Sequence, residues 1–210
     1  MTTDAPTYHQ RVASEKRAAI IEAATALFLE SGYDGTSLAR IAESAGVSKA
    51  TLFKQFPTKA ALFGAIVAEY WQMDEVNAAL PGAGEPQAGL TAVGQRYVEL
   101  LTRPGMADLF RIVIAEAPRF PELAKIQFDL GKLPFFDTVA DYLRAEAEAG
   151  TLSVADPTMA TTQFLGMISN YVFWPRLLLV DWDPAEAEVE RVVTEAVATL
   201  LARHGAPDTA

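Results

Sequence analysis

Ser48, Lys49, Ala50, Thr51, Lys54 and Gln55 have types and a spacing that suit one definite chemistry in this 210-residue chain. They lie within AGVSKATLFKQF, residues 45–56. Wound as a helix, they share a face opposite Leu52 and Phe56. Side chains this short let a helix approach base edges in the major groove of DNA. Ala50 and Thr51 suit contact with a thymine methyl. Lys49, Lys54 and Gln55 suit hydrogen bonds to bases or phosphates. Thr36 and Ser37 precede a short helix whose first N–H groups lack partners, a setting that suits a phosphate. Lys59, at the start of the next helix, suits a clamp on a neighbouring phosphate. The competing reading is a glycine-joined helical pair whose polar face merely meets water, and spacing alone does not separate the two.

Other chemistries have little to work with. There is no cysteine, which excludes disulfides, thiolate nucleophiles and cysteine-ligated zinc. The two histidines, His9 and His204, sit near opposite ends and argue against a catalytic triad or metal cluster. No carboxylate pair or Ser/His arrangement points to catalysis. The chain is therefore not expected to be an enzyme, and no cofactor or metal is expected.

The elements that must hold these residues read as helices throughout. Ile20, Ala24, Leu27 and Phe28 form one apolar stripe in a helix over 14–32, with Ser14 as its cap and Gly32 as its stop. Thr36 or Ser37 caps a second helix carrying Leu38, Ile41, Ala42 and Ala45, which Gly46 ends. Ser48 caps a third, with Leu52, Phe53 and Phe56 inward. Pro57 and Thr58 open a fourth, from Lys59 to about residue 79. PGAGEP, residues 81–86, reads as a linker. Further helices are predicted over 87–103, 105–117, 120–149, 157–180 and 184–204. Gly131 and Pro134 should bend or break the third of these. The Asp-Pro pairs at 156–157 and 183–184 read as helix starts. Period-2 alternation is absent, so the fold class is all-α.

Half of the residues are hydrophobic, enough for a sizeable core. The opening MTTDAPTYHQ is polar, and no apolar run reaches the length of a membrane span. A cytoplasmic protein without membrane contact is the expectation. The formal charge of −10 first appears hostile to DNA. It is unevenly spread: residues 1–60 hold seven basic and six acidic side chains, and the other 150 hold ten and twenty-one. The N-terminal part is thus +1 and the remainder −11. A global excess of acid opposes nonspecific nucleic-acid binding but not a small, locally cationic face.

The stretch LFLESGYDGTSLARIAESAGVSKATLFKQFPTKAALF, residues 27–63, resembles the N-terminal signature of the TetR family of transcriptional regulators. The shared elements are GY, TS, and IA-x-x-AGVSK-x-TLF-x-x-F-x-x-K-x-x-L. RIVIAEAPRFPELA (111–124) and DPTMATTQFLGMI (156–168) are similar to segments of the AefR-like branch of that family. The resemblance implies an N-terminal three-helix DNA-binding domain over 11–58, with the helix-turn-helix at 37–56 and Ser48–Gln55 as reading helix. It also implies a larger helical domain over 59–206 that binds a small molecule and dimerises. Two residues depart from the family pattern. Ala50 stands where Gly or Pro is frequent and keeps the site small. Phe53 stands where a Tyr hydroxyl usually meets a phosphate, so packing or van der Waals contact is expected there instead.

Operators for such dimers are palindromic. The expected interface is the last two long helices, with Phe173, Trp174 and Leu177 on one and Val189, Val193, Val197 and Leu200 on the other. The candidate ligand pocket gathers Phe110, Phe128, Phe136, Tyr142, Phe164, Met167 and Tyr171, with Arg111 and Asn170 as polar anchors. The expected partners are operator DNA, a small-molecule effector and a second copy of the chain. The expected function is a repressor whose operator is released when ligand binds. An activator or a regulator controlled by a protein partner shares the same fold, and a helical carrier without DNA binding is the alternative from another class.

Overall fold

A computed structural model describes residues 7–71, 82–179 and 181–205, and every described element is a helix apart from one isolated bridge between Leu152 and Gly205. The helices are α1 (Tyr8–Ser31), α2 (Leu38–Ser44), α3 (Lys49–Gln55), α4 (Lys59–Trp71), α5 (Pro86–Thr102) and α6 (Met106–Glu116). They continue with α7 (Pro121–Ile126), a π-helical turn at Gln127–Lys132, α8 (Leu133–Glu148), α9 (Pro157–Val172), α10 (Trp174–Leu178) and α11 (Glu186–His204). The expected all-α class is what is found. The continuation of the fourth helix past Trp71 and the start of the linker at Pro81 lie outside the described residues.

The chain divides into two compact units, Met1–Glu69 with Ile112–Gln127, and Tyr70–Arg111 with Phe128–Ala210. In the first, the apolar face of α1 (Ile20, Ala24, Leu27, Phe28) is buried with Ile41 and Ala42 of α2, Leu52 of α3 and Leu62, Phe63 and Ile66 of α4. The rings of Phe28, Tyr33 and Phe63 pack with centroids 5.3–6.3 Å apart. Helices α2 and α3 have seven residues each, too few to persist alone in water, so this burial is what makes them helical.

In the second unit α9 packs against α5, α8 and α11. Its buried residues Phe164, Leu165 and Ile168 meet those of α5 (Leu90, Val93, Tyr97) and α11 (Val193, Val197, Leu200). Tyr97 stacks on Phe135 of α8 at 5.1 Å, and burial pushes its hydroxyl up to about 12.

Several helix limits differ from those predicted. Helix α1 starts at Tyr8, so Ser14 is an exposed residue within it and not its cap. The predicted 157–180 helix breaks at Phe173, because Pro175 cannot donate to the carbonyl of Tyr171 and its ring crowds that oxygen. Asp156 caps α9 as predicted, accepting from the Met159 N–H at 3.0 Å. The Asp183–Pro184 pair does not open α11, which begins at Glu186 after an uncapped Ala185. The 120–149 segment is interrupted where predicted, by the π turn. Pro134 has no N–H for the carbonyl four residues back, and a widened turn accommodates it. Gly131 is needed there: a Cβ would fall 2.2 Å from Nε1 of the buried Trp71 indole.

Candidate nucleic-acid interface

The reading helix is positioned by caps as much as by core. Ser37 caps α2, its Oγ accepting from the Arg40 N–H at 3.2 Å. The turn after α2 is a Schellman motif: Gly46 N–H donates to Glu43 at 3.1 Å and Val47 N–H to Ala42 at 3.0 Å. It requires φ +63° at Gly46, a left-handed conformation that glycine adopts without strain. Ser48 then caps α3, accepting from the Thr51 N–H at 3.1 Å, and the two hydroxyls lie 2.9 Å apart.

This start leaves α3 with two distinct faces. Leu52 is fully buried and Phe56 nearly so, while Ser48, Lys49, Ala50, Phe53 and Lys54 are exposed and Thr51 and Gln55 are half-buried. Among the described residues Lys49 and Lys54 have no ion-pair partner. The face therefore presents two uncompensated cations beside short hydroxyl, methyl and amide side chains. Phe53, expected inward with Leu52 and Phe56, is instead 50% exposed on this surface, because Leu52 and Phe56 alone face the core. Arg17 of α1, which the sequence reading passed over, sits 4.6 Å above the Phe56 ring at the end of α3. Its signal is only a basic residue on the polar side of α1.

Two predicted contacts are corrected. Thr36 is buried, and its hydroxyl sits 2.9 Å from the Gly32 carbonyl and 3.1 Å from that of Leu27. It closes the end of α1 and is not offered to a phosphate. Lys59 is also turned inward, with Nζ 2.6 Å from the Tyr33 carbonyl and 2.9 Å from that of Thr36. Ser37 remains at the exposed start of α2.

The residues expected to line one ligand pocket are brought together only in part: Phe164 and Met167 line one cavity, and Met167 and Tyr171 another. Phe164 is core, and Tyr142 is buried with its hydroxyl donating to Glu146 at 2.6 Å. Phe128 and Asn170 are exposed. Phe136 is half-buried under the Lys132 ammonium, 4.8 Å from its ring, and Phe110 packs edge-on to Phe173 at 4.9 Å. Arg111 is not a free anchor: its guanidinium donates to the carbonyls of Leu177, at 3.1 Å, and Arg176, and to Asp108. It ties α10 to α6. Met167 and Tyr171 line a groove between α9 and α11 with Arg191, Val192, Glu195 and Thr199.

The expected dimer set is corrected in the same way. Phe173, Val193, Val197 and Leu200 are buried within the chain. Trp174 is 57% exposed, and Leu177 and Val189 are half-buried. The apolar stripe of α11 is core of its own unit, and the surface beside it is the α9–α11 groove.

Residues 20–66 match the family described as bacterial regulatory proteins, tetR family. Residues 88–206 match the C-terminal domain of AefR-like transcriptional repressors. The chain is 40% identical over 153 residues to the HTH-type transcriptional regulator RutR of Escherichia coli O157:H7, spanning 70% of this chain and 69% of that protein. The solved structure of a TetR-family transcriptional regulator from Mesorhizobium loti superposes with a TM-score of 0.80 at 30% identity, over 92% of this chain and 98% of that one. The flavonoid-responsive regulator FrrA superposes with a TM-score of 0.75 at 28% identity, over 94% and 100%.

Proposed function

This chain belongs to the TetR family of bacterial transcriptional regulators, and from that premise we propose that it is a repressor held on a palindromic operator until a small-molecule ligand releases it. The chain is a helix-turn-helix transcriptional regulator and not an enzyme. No described helix is long and apolar enough to cross a membrane.

One observation carries the operator reading: α3 exposes Ser48, Lys49, Ala50, Thr51, Phe53, Lys54 and Gln55 on one side while Leu52 fixes the other in the core. Such a helix can enter the major groove without disturbing its own packing. Lys49 and Lys54 reach phosphates or base edges, Ala50 and Thr51 approach a thymine methyl, and Phe53 packs on the sugar-phosphate backbone. Ser37 meets a phosphate at the start of α2. We place the DNA-binding domain at 11–58 and the effector and dimer domain at 59–206. The match to AefR-like repressors supports repression, and the flavonoid response stated for FrrA supports a small-molecule effector.

The α9–α11 groove, with Met167, Tyr171, Val192 and Thr199 accessible, is the surface we assign to the partner copy. A twofold pair would hold its reading helices about 34–36 Å apart, one turn of DNA. Ligand releases the operator only through its differential affinity for two spacings of those helices.

Lys49→Ala and Thr51→Ala should each weaken operator binding about tenfold, within the range for a lost base or phosphate contact, with helicity unchanged by circular dichroism. Fluorescence anisotropy with a labelled duplex reads this directly. Wild-type affinity in both variants would show that the reading face is assigned wrongly.

A further inference from the structure

Lys59 opens α4 beside the reading helix, where a cation invites assignment to a phosphate. Its surroundings say otherwise. An ammonium has three N–H donors. Here two reach the carbonyls of Tyr33 and Thr36, and the group lies 4.3 Å from the Tyr33 ring centroid and 6.0 Å from that of Phe120. With two donors committed, at most one N–H is left for a phosphate unless the turn at 33–36 opens. The flanking Thr36 hydroxyl closes the same turn from below, against Leu27 and Gly32.

The turn is gripped from its other side by residues far along the chain. Glu116 Oε1 accepts from the Asp34 N–H at 3.3 Å, a separation of 82 residues. Arg119 Nη2 pairs with Asp34 Oδ2 at 3.0 Å. The Phe120 ring stands edge-on to Tyr33 at 5.2 Å, with the Arg119 guanidinium 5.4 Å above it. Residues 112–127 accordingly belong to the same compact unit as the reading helix. Burial lowers the Lys59 pKa, and the carboxylates of Asp34 and Glu116 oppose that shift, which agrees with an inward-facing cation. Burial, aided by Glu122, likewise pushes the Tyr33 hydroxyl up to about 12. The clasped turn leads directly into Ser37, the cap of α2, so its geometry sets where the α2–α3 pair begins.

We propose that Lys59 is a positioning residue for operator binding and makes no phosphate contact, and that Glu116, Arg119 and Phe120 complete its seat. Operator affinity is then set in part by a segment outside the helix-turn-helix that touches no DNA. The inference rests on the operator-binding reading.

Salt dependence separates a positioning residue from a contact. Each phosphate contact contributes about 0.9 to the slope of log affinity against log salt on duplex DNA. The test titrates the duplex from the chain's own upstream region, at several salt concentrations, with the wild-type full chain, Lys59→Met, Arg119→Ala, Phe120→Leu and Lys49→Ala. Lys59→Met is expected to lose about tenfold at every salt with the slope unchanged, the loss of hydrogen bonds from a charged donor. Arg119→Ala changes an exposed side chain and keeps the fold. It and Phe120→Leu should show a parallel loss of about threefold, the size of one exposed pair or ring contact. Lys49→Ala should flatten the slope by about one. Amide exchange at residues 33–41 should quicken in the first three variants and not in Lys49→Ala. A flattened slope in Lys59→Met, or wild-type affinity in both Arg119→Ala and Phe120→Leu, overturns the proposal. If the wild type itself shows no salt-sensitive preference for the duplex, the operator reading falls and this inference with it.

Discussion

Leu52→Ala is expected to cost about 3 kcal/mol of stability and to abolish operator binding at concentrations that saturate the wild type. Leu52 is the fully buried residue of α3, on the side opposite Lys49 and Thr51. A buried leucine truncated to alanine loses its transfer free energy and leaves a cavity that neighbours fill only in part. Helix α3 has seven residues and no intrinsic stability to draw on, so the loss falls on the element that reads DNA. The contrast with Lys49→Ala is the informative part. Lys49→Ala should bind weakly and melt normally, whereas Leu52→Ala should bind weakly because the helix is no longer held. Urea denaturation beside anisotropy distinguishes the two, and normal operator binding by Leu52→Ala would mean that α3 does not depend on this packing.

Glu146→Ala should destabilise the chain by about 2–4 kcal/mol, the range for a broken buried network of a charged group. Glu146 has no exposed surface, and its carboxylate accepts from the Tyr142 hydroxyl at 2.6 Å, the Gly84 N–H at 3.0 Å and the Thr151 hydroxyl. It fastens the turn before α5 to the end of α8. Burial by itself would raise its pKa. The hydrogen bonds from Thr151, Tyr142 and Gly84 together outweigh burial, so the carboxyl stays below the usual carboxylate range. The Tyr142 hydroxyl is pushed up, by burial first and then by Glu146. A folded pKa below the unfolded one means stability that is complete above the unfolded value of about 4.3 and is lost as pH falls through the folded one. The difference between wild type and Glu146→Gln should therefore be large at pH 7 and shrink below about pH 4. Urea midpoints at the two pH values check this. A constant difference would place the effect in packing and not in charge.

The two faces of α3, one buried and one exposed, were legible because three signals agreed on them: apolar spacing, serine caps at Ser37 and Ser48, and a glycine, Gly46, at the left-handed turn between α2 and α3. Each acts over a few residues, and so each is visible in sequence. The fate of Lys59 was not. Its ammonium is seated by Tyr33 and Thr36 and enclosed by a segment that only folding brings near, and composition cannot tell an inward lysine from an outward one. The stripe Val193, Val197 and Leu200 failed for a related reason. An apolar stripe shows that a helix face is covered, but not whether a neighbour in the same chain or a second copy covers it. The pocket set was not legible because aromatic composition does not tell which rings are covered: Phe164 is core, while Phe128 is exposed and shares the Lys132 ammonium with the half-buried Phe136, at 5.1 and 4.8 Å. The π turn left a trace in Gly131 and Pro134 but not its form, since Trp71, against which Gly131 packs, lies outside that segment.

The most direct measurement titrates the full chain into a fluorescent duplex from its own upstream region and into a scrambled duplex of equal length, from 50 to 200 mM salt. Operator recognition predicts saturable binding at least about a thousandfold tighter to the native duplex, weakening steeply as salt rises. Equal affinity for both duplexes, or binding to neither at 50 mM salt, would contradict it.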